Sequence, residues 1–153
     1  MAVTLDFQLD EHVLAEDRRS DPAAADPAVI ETTYFTMPVR FSIDERELLQ
    51  ASSAVWLPQP LIGLAAHLLL SLDVLRSAGS ATCSVAGAGT LRLDRRGERV
   101  HLSCSFNGVE AETSFAELEG AVKRFHERVK ETLHVLVPEL TRHPSWPSWF
   151  PSS

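Results

Sequence analysis

The sequence of 153 residues has little cysteine and no long apolar run, and each shortage excludes a class of protein. Its two cysteines, Cys83 and Cys104, have no CxxC spacing and no paired His-x-His nearby. This favours buried reduced thiols over a disulfide framework or a zinc site. The longest apolar run, LIGLAAHLLLSL, is shorter than the roughly 20 residues that cross a bilayer. The N-terminus MAVTLDFQLDEH also lacks a basic segment followed by an apolar one. We therefore expect a cytoplasmic protein that does not bind membranes.

Recognisable catalytic motifs are also missing. The sequence has no GxSxG elbow, and the glycine stretch AGAGT at 86–90 lacks the GK[ST] of a Walker loop, so it predicts a bend in a strand. His126 and His134 are eight residues apart, about 80° around a helix, and do not converge as an i, i+4 pair does. His67 lies in an apolar segment and is predicted to be a buried structural histidine. We expect no metal and no cofactor, while a minor enzymatic activity stays open.

The charge of the chain is negative and unevenly distributed. The formal net charge is −7, because the first fifty residues carry 11 Asp and Glu against 4 Lys and Arg, whereas the remainder carries 10 of each. A negative field disfavours nucleic acid and favours a basic partner, although solubility is the commoner reason for it. Asp44, Glu45 and Glu47 are candidate partner-binding residues in a predicted turn. The arginines Arg92, Arg95, Arg96 and Arg99 cluster near one hairpin, where interspersed carboxylates favour a solvated turn.

The first half of the chain is predicted to contribute strands. Apolar residues alternate in VTLDFQL and in FTMPVRFSI, which is the period of a half-buried strand. Pro38 suits an edge or a bulge better than the centre of a sheet. Residues 16–29 contain two Asp-Pro pairs and are interpreted as an exposed loop. Asp44 and Glu45 are expected to turn the chain into a short return strand ending near Leu49.

A helix and a strand meander are predicted next. The helix begins near Pro60 and ends at Gly79, because proline suits a first turn and glycine a C-terminal cap. Residues 82–113 alternate as a meander, with a turn at 96–97 that places Leu93 opposite Val100. Asn-Gly at 107–108 predicts a tight hairpin that pairs Phe106 with Val109. Ala111 and Thr113 then point inward, and Glu110 and Glu112 outward.

A long amphipathic helix follows. Ser114 opens the capping box SFAE, and an apolar stripe continues until Pro138. The stripe comprises Phe115, Leu118, Val122, Phe125, Val129, Leu133 and Leu136. Its spacing also suits a coiled-coil seam, but after a meander it favours a helix laid on a sheet.

These patterns predict an α+β fold with the order ββ(β)αβββα. The antiparallel sheet is expected to have about five to six strands, with a buried central helix and the amphipathic C-terminal helix packed on it. We assign residues 1–137 to a single domain and residues 138–153 to a Pro/Trp-rich C-terminal tail.

The tail HPSWPSWFPSS concentrates Trp146, Trp149 and Phe150 where neither a helix nor a strand is expected. One interpretation is that these aromatic side chains fold back and cover the domain, because each buries about 150–250 Å². The other is that they form a docking peptide pre-extended by its prolines.

The run from VRFSIDERELL through the meander to SFAELEGAVKRFHERV, roughly residues 37–137, resembles small actinobacterial domains of unknown function, which are similar in plan to bacterial toxin-immunity proteins. The resemblance implies a non-catalytic protein whose acidic face covers a basic toxin or another protein. Our first hypothesis is such an interaction module, acting through the acidic N-terminal half or the tail. The second is a domain that binds a small molecule or lipid in an apolar cavity between a curved sheet and the last helix. Homodimerisation is compatible with both.

Overall fold

The computed structural model describes residues 3–51 and 54–151, so the outermost residues of the predicted domain and tail, 1–2 and 152–153, lie outside the described residues. In chain order the elements are β1 (Val3–Phe7), α1 (Glu11–Arg19), α2 (Pro27–Thr32), β2 (Thr36–Ile43), β3 (Arg46–Glu47), β4 (Leu57–Pro60), α3 (Leu61–Ala78), β5 (Ser80–Val85), β6 (Gly89–Arg96), β7 (Arg99–Cys104), β8 (Glu110–Ser114), α4 (Phe115–Leu136) and α5 (Trp146–Trp149). Short 3-10 turns lie at Pro22–Ala24 and Pro138–Arg142. The α+β class, the antiparallel pairing and the long C-terminal helix are confirmed.

The strands are divided between two four-stranded sheets, where the sequence suggested one of five to six strands. In the N-terminal sheet, β2 is central, with β1 on one side and both β3 and β4 on the other. The meander sheet has the order β5-β6-β7-β8. The sequence also carried no sign of β4, because two of its four residues, LPQP, are prolines.

The helices join both sheets into one core. α3 begins directly after Pro60 and ends at Gly79, whose φ of 79° suits glycine, as predicted. α4 begins after Ser114, whose hydroxyl accepts from the Glu117 N–H at 3.1 Å, and it buries the predicted stripe up to Leu133. The inward side chains of both sheets, α3, α4 and the tail form one hydrophobic cluster. By length and composition α3 could cross a membrane, but half of it is buried in this core.

Residues 16–29 are mostly exposed, as expected, but they are not a loop. They contain the end of α1, the 3-10 turn with its buried Pro22, and the start of α2. Asp26 caps α2 by accepting from the Ala28 N–H at 2.8 Å, and Pro27 is the first helical residue. The second Asp-Pro pair therefore starts a helix, because proline needs no hydrogen-bond partner there.

Pro38 lies in a central strand, contrary to the expectation of an edge or bulge. Its neighbour on one side is Pro58 of β4, so neither residue of that pair has a donor to leave unpaired. On the other side the ladder with β1 ends at Val39, and the Pro38 carbonyl accepts from the Gln8 N–H at 2.9 Å. β2 therefore tolerates Pro38, because no partner on either neighbouring strand needs an N–H donor at this position.

The meander has the predicted faces but not the predicted turns. Leu93 pairs with Leu102 instead of Val100, so the register between β6 and β7 differs by two residues and the turn lies at 97–98. A shift of two residues keeps every side chain on its face, since the side-chain period of a strand is two. Ala111 is accordingly buried and Glu112 exposed, as expected.

The other two glycine-containing connections of the meander are loops of three and five residues. The AGAGT stretch forms the turn from β5 to β6, with Gly87 at φ 74°, and does not bend a strand. Phe106 and Val109 are not paired: Gly108 has φ 70° but Asn107 keeps an ordinary φ, so no type I′ turn forms. The Asn107 side chain instead donates to the Leu48 and Gln50 carbonyls at 2.9 and 3.0 Å. Tertiary bonds to the first half of the chain determine this loop.

Candidate functional site

The predicted acidic turn exists and is exposed. Asp44 and Glu45 connect β2 to β3 in a two-residue turn in which Ile43 pairs with Arg46. Their φ values are 48° and 71°, the left-handed region that such a turn requires at both positions. Non-glycine residues occupy this region with strain, and aspartate tolerates it better than most. The turn therefore holds two carboxylates in solvent at the end of the N-terminal sheet.

Glu47 has a structural role that the sequence did not reveal. Its carboxylate accepts from Arg40 on the neighbouring strand, with Nε–Oε1 and Nη2–Oε2 distances of 2.9 and 2.6 Å. This hydrogen bonding, together with the charge of Glu47, raises the pKa of Arg40. The side chain of Glu47 is only 10% exposed, so its charge is largely matched within the sheet.

Arg46 brings the acidic turn next to the meander sheet. Its Nη1 donates to the Glu110 carbonyl of β8 at 2.9 Å. Two surface depressions of about 430 and 440 Å³ adjoin Arg46, one lined by Asp44 and Glu112 and the other by Glu45, Glu47 and Glu110. Five carboxylates from the two halves of the chain thus line the depressions beside one arginine. We call Asp44, Glu45, Glu110 and Glu112 the acidic surface.

The sequence indicated only half of this surface. The alternation in VEAETS correctly placed Glu110 and Glu112 in solvent, but nothing in a local pattern showed that β8 lies against the β2–β3 turn. That juxtaposition depends on how the two sheets pack. It brings together residues that are far apart in the sequence.

The outer face of the meander sheet is polar and internally paired. A depression of about 370 Å³ is lined by Asp94, Arg96, Arg99, His101 and Glu112. Nε of Arg99 lies 3.0 Å from Oε1 of Glu112, and Nε of Arg92 lies 2.9 Å from Oδ2 of Asp94. Hydrogen bonds from Arg92 and from Ser80 lower the pKa of Asp94.

The arginine cluster is accordingly divided among separate contacts. In addition to the two ion pairs, the Arg95 guanidinium lies 4.0 Å from the centre of the Phe115 ring and donates to the Gly97 carbonyl. Arg92 and Arg99 stay largely exposed beside their carboxylates, as expected of a solvated turn, whereas Arg95 packs on Phe115.

The aromatic tail packs against its own chain. Trp149 is 4% exposed and Phe150 2%, while Trp146 is partly buried against the core. Phe150 lies between the rings of His126 and Trp146, with centroid distances of 5.1 and 4.5 Å. This arrangement agrees with the interpretation in which the tail folds back and covers the domain, not with a free docking peptide.

Two buried histidines anchor the tail. The Nε2 atom of His126 lies 2.7 Å from the Trp149 carbonyl, and that of His143 lies 2.8 Å from the Ala25 carbonyl. Nδ1 of His143 accepts from the Ser145 N–H at 3.0 Å, so Nε2 carries the ring proton and donates a hydrogen bond to the Ala25 carbonyl. His67, predicted to be buried, is exposed instead, 4.0 Å from Glu31, because it lies on the outer side of α3. Sequence periodicity did not distinguish the buried histidine from the exposed one.

The cysteines are two separate buried thiols. Both pair with Leu91, from the strands on either side of β6, so about 9.6 Å of sheet separates them, beyond the reach of a disulfide. Burial raises the pKa of each to about 11. Within residues 3–51 and 54–151, no group of three or more His, Cys, Asp and Glu side chains could hold a metal ion.

No protein family, curated protein or solved structure matches the chain. The likeness to small actinobacterial domains and toxin-immunity proteins therefore stays a prediction from the sequence.

Proposed function

We propose that the protein is a non-catalytic interaction module that binds a basic protein partner through the acidic surface. The observation that carries this proposal is the convergence of carboxylates from the β2–β3 turn and from β8 around Arg46. A negative patch of this kind speeds encounter with a basic partner and determines the orientation in which it docks.

The geometry of the turn supports the same assignment. Asp44 and Glu45 are exposed on backbone that is strained for both residues, where glycine or asparagine would cost less. Two exposed carboxylates at strained backbone positions suit residues that contact a partner.

The tail is assigned to the fold and not to the partner. Trp149 and Phe150 are nearly inaccessible, and releasing them would expose a large apolar area. Leu93 and Leu102 of the meander sheet and Val122 and Phe125 of α4 are buried members of the hydrophobic core, which favours the first hypothesis over an apolar cavity. We therefore place the partner on the acidic surface.

The proposal is tested by capture from cells that express the gene natively, with a variant that neutralises the acidic surface. The variant combines Asp44→Asn, Glu45→Gln, Glu110→Gln and Glu112→Gln. The unmodified protein should retain a basic protein in stoichiometric amount, with cross-links to the β2–β3 turn and β8. The variant should lose it, and raised salt should weaken the complex.

A matched control neutralises four exposed carboxylates elsewhere: Glu11, Glu16, Glu127 and Glu131, each replaced by glutamine. Both variants have the same net charge, so general electrostatics affects them equally. Loss of the partner from both variants, or from neither, would contradict binding at the acidic surface.

A further inference from the structure

The outer side of β5 is an open sheet edge. β5 pairs with β6 on one side, and within the described chain no strand pairs with its other side. The Arg95 N–H donates to the Gly79 carbonyl at 2.7 Å, which fixes the alternation of the ladder. Ala81 and Cys83 therefore direct their backbone groups to β6, while Ser80, Thr82 and Ser84 direct theirs outward. Among residues 3–51 and 54–151, the one hydrogen bond to these outward groups is from the Cys83 thiol, whose sulfur lies 3.7 Å from the Ser84 carbonyl.

The other sheet edges of the described chain are protected in ways that β5 is not. β1 carries Asp6, whose side chain accepts from the Phe7 N–H and pairs with Arg128. β3 has two residues, both charged, and β4 contains two prolines. β8 carries Glu110 and Glu112 and receives the Arg46 side chain. Charge, proline and short length are the usual protections against strand addition, and the sequence SATCSV of β5 has none of them.

An apolar stripe of α3 lies beside this edge. Leu70 is 59% exposed, and Val74, one turn further along, is partly exposed. Both line a groove of about 270 Å³ together with His67, Ser71 and residues Ala81–Ser84 of β5, where Thr82 and Ser84 have outward backbone groups. A groove with donors and acceptors on one wall and apolar side chains on the other suits an extended strand accompanied by a helix.

We propose that this edge pairs with the β5 edge of a second copy of the chain, so that the two meander sheets become one eight-stranded sheet. The argument for a second copy is self-complementarity. The edge is uncharged along its whole length, so it does not favour a charged partner strand. For the same reason, two copies of the edge do not repel each other.

The pairing has a defined register. With a two-fold axis at Thr82, Thr82 meets its own image, and Ser80 meets Ser84 of the other copy. All three outward-facing residues then lie in hydrogen-bonded pairs, giving about six interchain bonds. Hydroxyl side chains face each other across the new ladder, a favourable cross-strand combination.

The same axis covers the apolar stripe. α3 runs antiparallel to β5 across Gly79, and a strand rises about 3.3 Å per residue against about 1.5 Å for a helix. Thr82 is therefore about level with the α3 turn between Leu70 and Val74, the residues that share its groove. The two-fold axis sets Leu70 of one copy beside Val74 of the other, which removes the most exposed leucine of the chain's described part from water.

The test is the oligomeric state of the purified protein and of two edge variants, measured by sedimentation velocity. The unmodified protein should have about twice the 16.9 kDa mass of the chain. Thr82→Lys places a charge on the edge and Leu70→Glu places one in the stripe, and each should raise the dimer dissociation constant by about 30-fold or more. Circular dichroism establishes that both variants remain folded, which their exposed positions favour.

The matched controls are Ser103→Lys, on the same outer face but two strands inward, and Val135→Glu, at an exposed apolar position of α4. Both should remain dimeric. In hydrogen exchange, the Thr82 and Ser84 amides should gain protection as the protein concentration rises. A monomer at all concentrations, including the case in which the edge serves a strand of another protein, would overturn the proposal. So would a dimer that persists in Thr82→Lys, or one that Val135→Glu dissociates equally.

Discussion

Among the described residues, Thr113 has the one buried side-chain polar atom without a hydrogen-bond partner. The residue is fully buried on the inner face of β8, opposite Val100. A buried hydroxyl without a partner loses its bonds to water and gains nothing in return. The sequence suggested only that Thr113 points inward, and its lack of a partner depends on neighbours from several elements.

We therefore expect Thr113→Val, which keeps the shape of the side chain, to raise the free energy of unfolding by about 1 kcal/mol. Urea unfolding followed by circular dichroism measures the change. Thr141→Val is the control, because its hydroxyl donates to the Pro138 carbonyl at 2.7 Å, and it should lower the same quantity. A destabilised Thr113→Val would show that the hydroxyl has a partner in solution.

Cys83 and Cys104 should be unreactive in the folded protein. Burial raises the pKa of both thiols to about 11, so about one thiol in a thousand is ionised at pH 8. The expected rate with a disulfide reagent at that pH is below about 1% of the rate in denaturant. Because the folded state keeps its thiol protons to higher pH than the unfolded state, stability should fall as the pH rises from about 9 to 11. A thiol that reacts within seconds in the native protein would contradict this environment.

At the scale of elements, the sequence was most informative where structure is local. The stripe and capping box of α4, the bounds of α3 and the two-residue turn at Asp44 and Glu45 were all predicted from residues close in the chain. β4 and the register of β6 on β7 were not, because tertiary packing determines them. For the same reason, no local pattern indicated that β8 lies beside the acidic turn, where Arg46 donates to the Glu110 carbonyl.

The close approach of α2 to α3 depends on Gly63. A Cβ atom at this position would lie 2.0 Å from the Glu31 carbonyl oxygen, so any side chain must push the helices apart. We expect Gly63→Ala to lower the free energy of unfolding by about 2 kcal/mol or more, measured by urea unfolding. At Gly120 of α4 a Cβ would meet only the flexible end of Arg124, and Gly120→Ala should stabilise by about 0.5–1 kcal/mol. Similar effects of the two substitutions would contradict a close α2–α3 contact at Gly63.

The tail should contribute to stability as a core element does. Because Phe150 is 2% exposed between His126 and Trp146, Phe150→Ala should cost about 3 kcal/mol. Trp146→Ala, at a partly buried position, should cost less. Truncation after Arg142 should lower the melting temperature more than either single substitution does. If truncation instead left melting unchanged and removed a bound partner, the docking-peptide interpretation would be the correct one.

At the scale of the whole molecule, the uneven charge has a simple structural origin. Several acidic residues of the first half are used within the fold: Asp10 and Asp26 cap helices, and Glu47 binds Arg40. Two further carboxylates of that half, Asp44 and Glu45, meet two from β8, which lies in the balanced half of the sequence. Charge along the chain was therefore a poor guide to charge on the surface, since folding combined the two halves.

The contrast between the two sheets also has a kinetic consequence. In the meander sheet each strand pairs with its neighbour in sequence, as Ser80 does with Asp94, whereas β1 must find β2 across two helices, pairing Val3 with Ile43. Closing the longer loops costs more chain entropy, so we expect the meander with α3 and α4 to form in the folding transition state and the N-terminal sheet to be completed afterwards.

Val100 and Val39 are fully buried, one in each sheet, and suit a matched comparison in stopped-flow experiments. Val100→Ala should mainly slow folding and Val39→Ala mainly speed unfolding. The acidic surface, which needs both sheets, would then be among the last parts of the molecule to assemble.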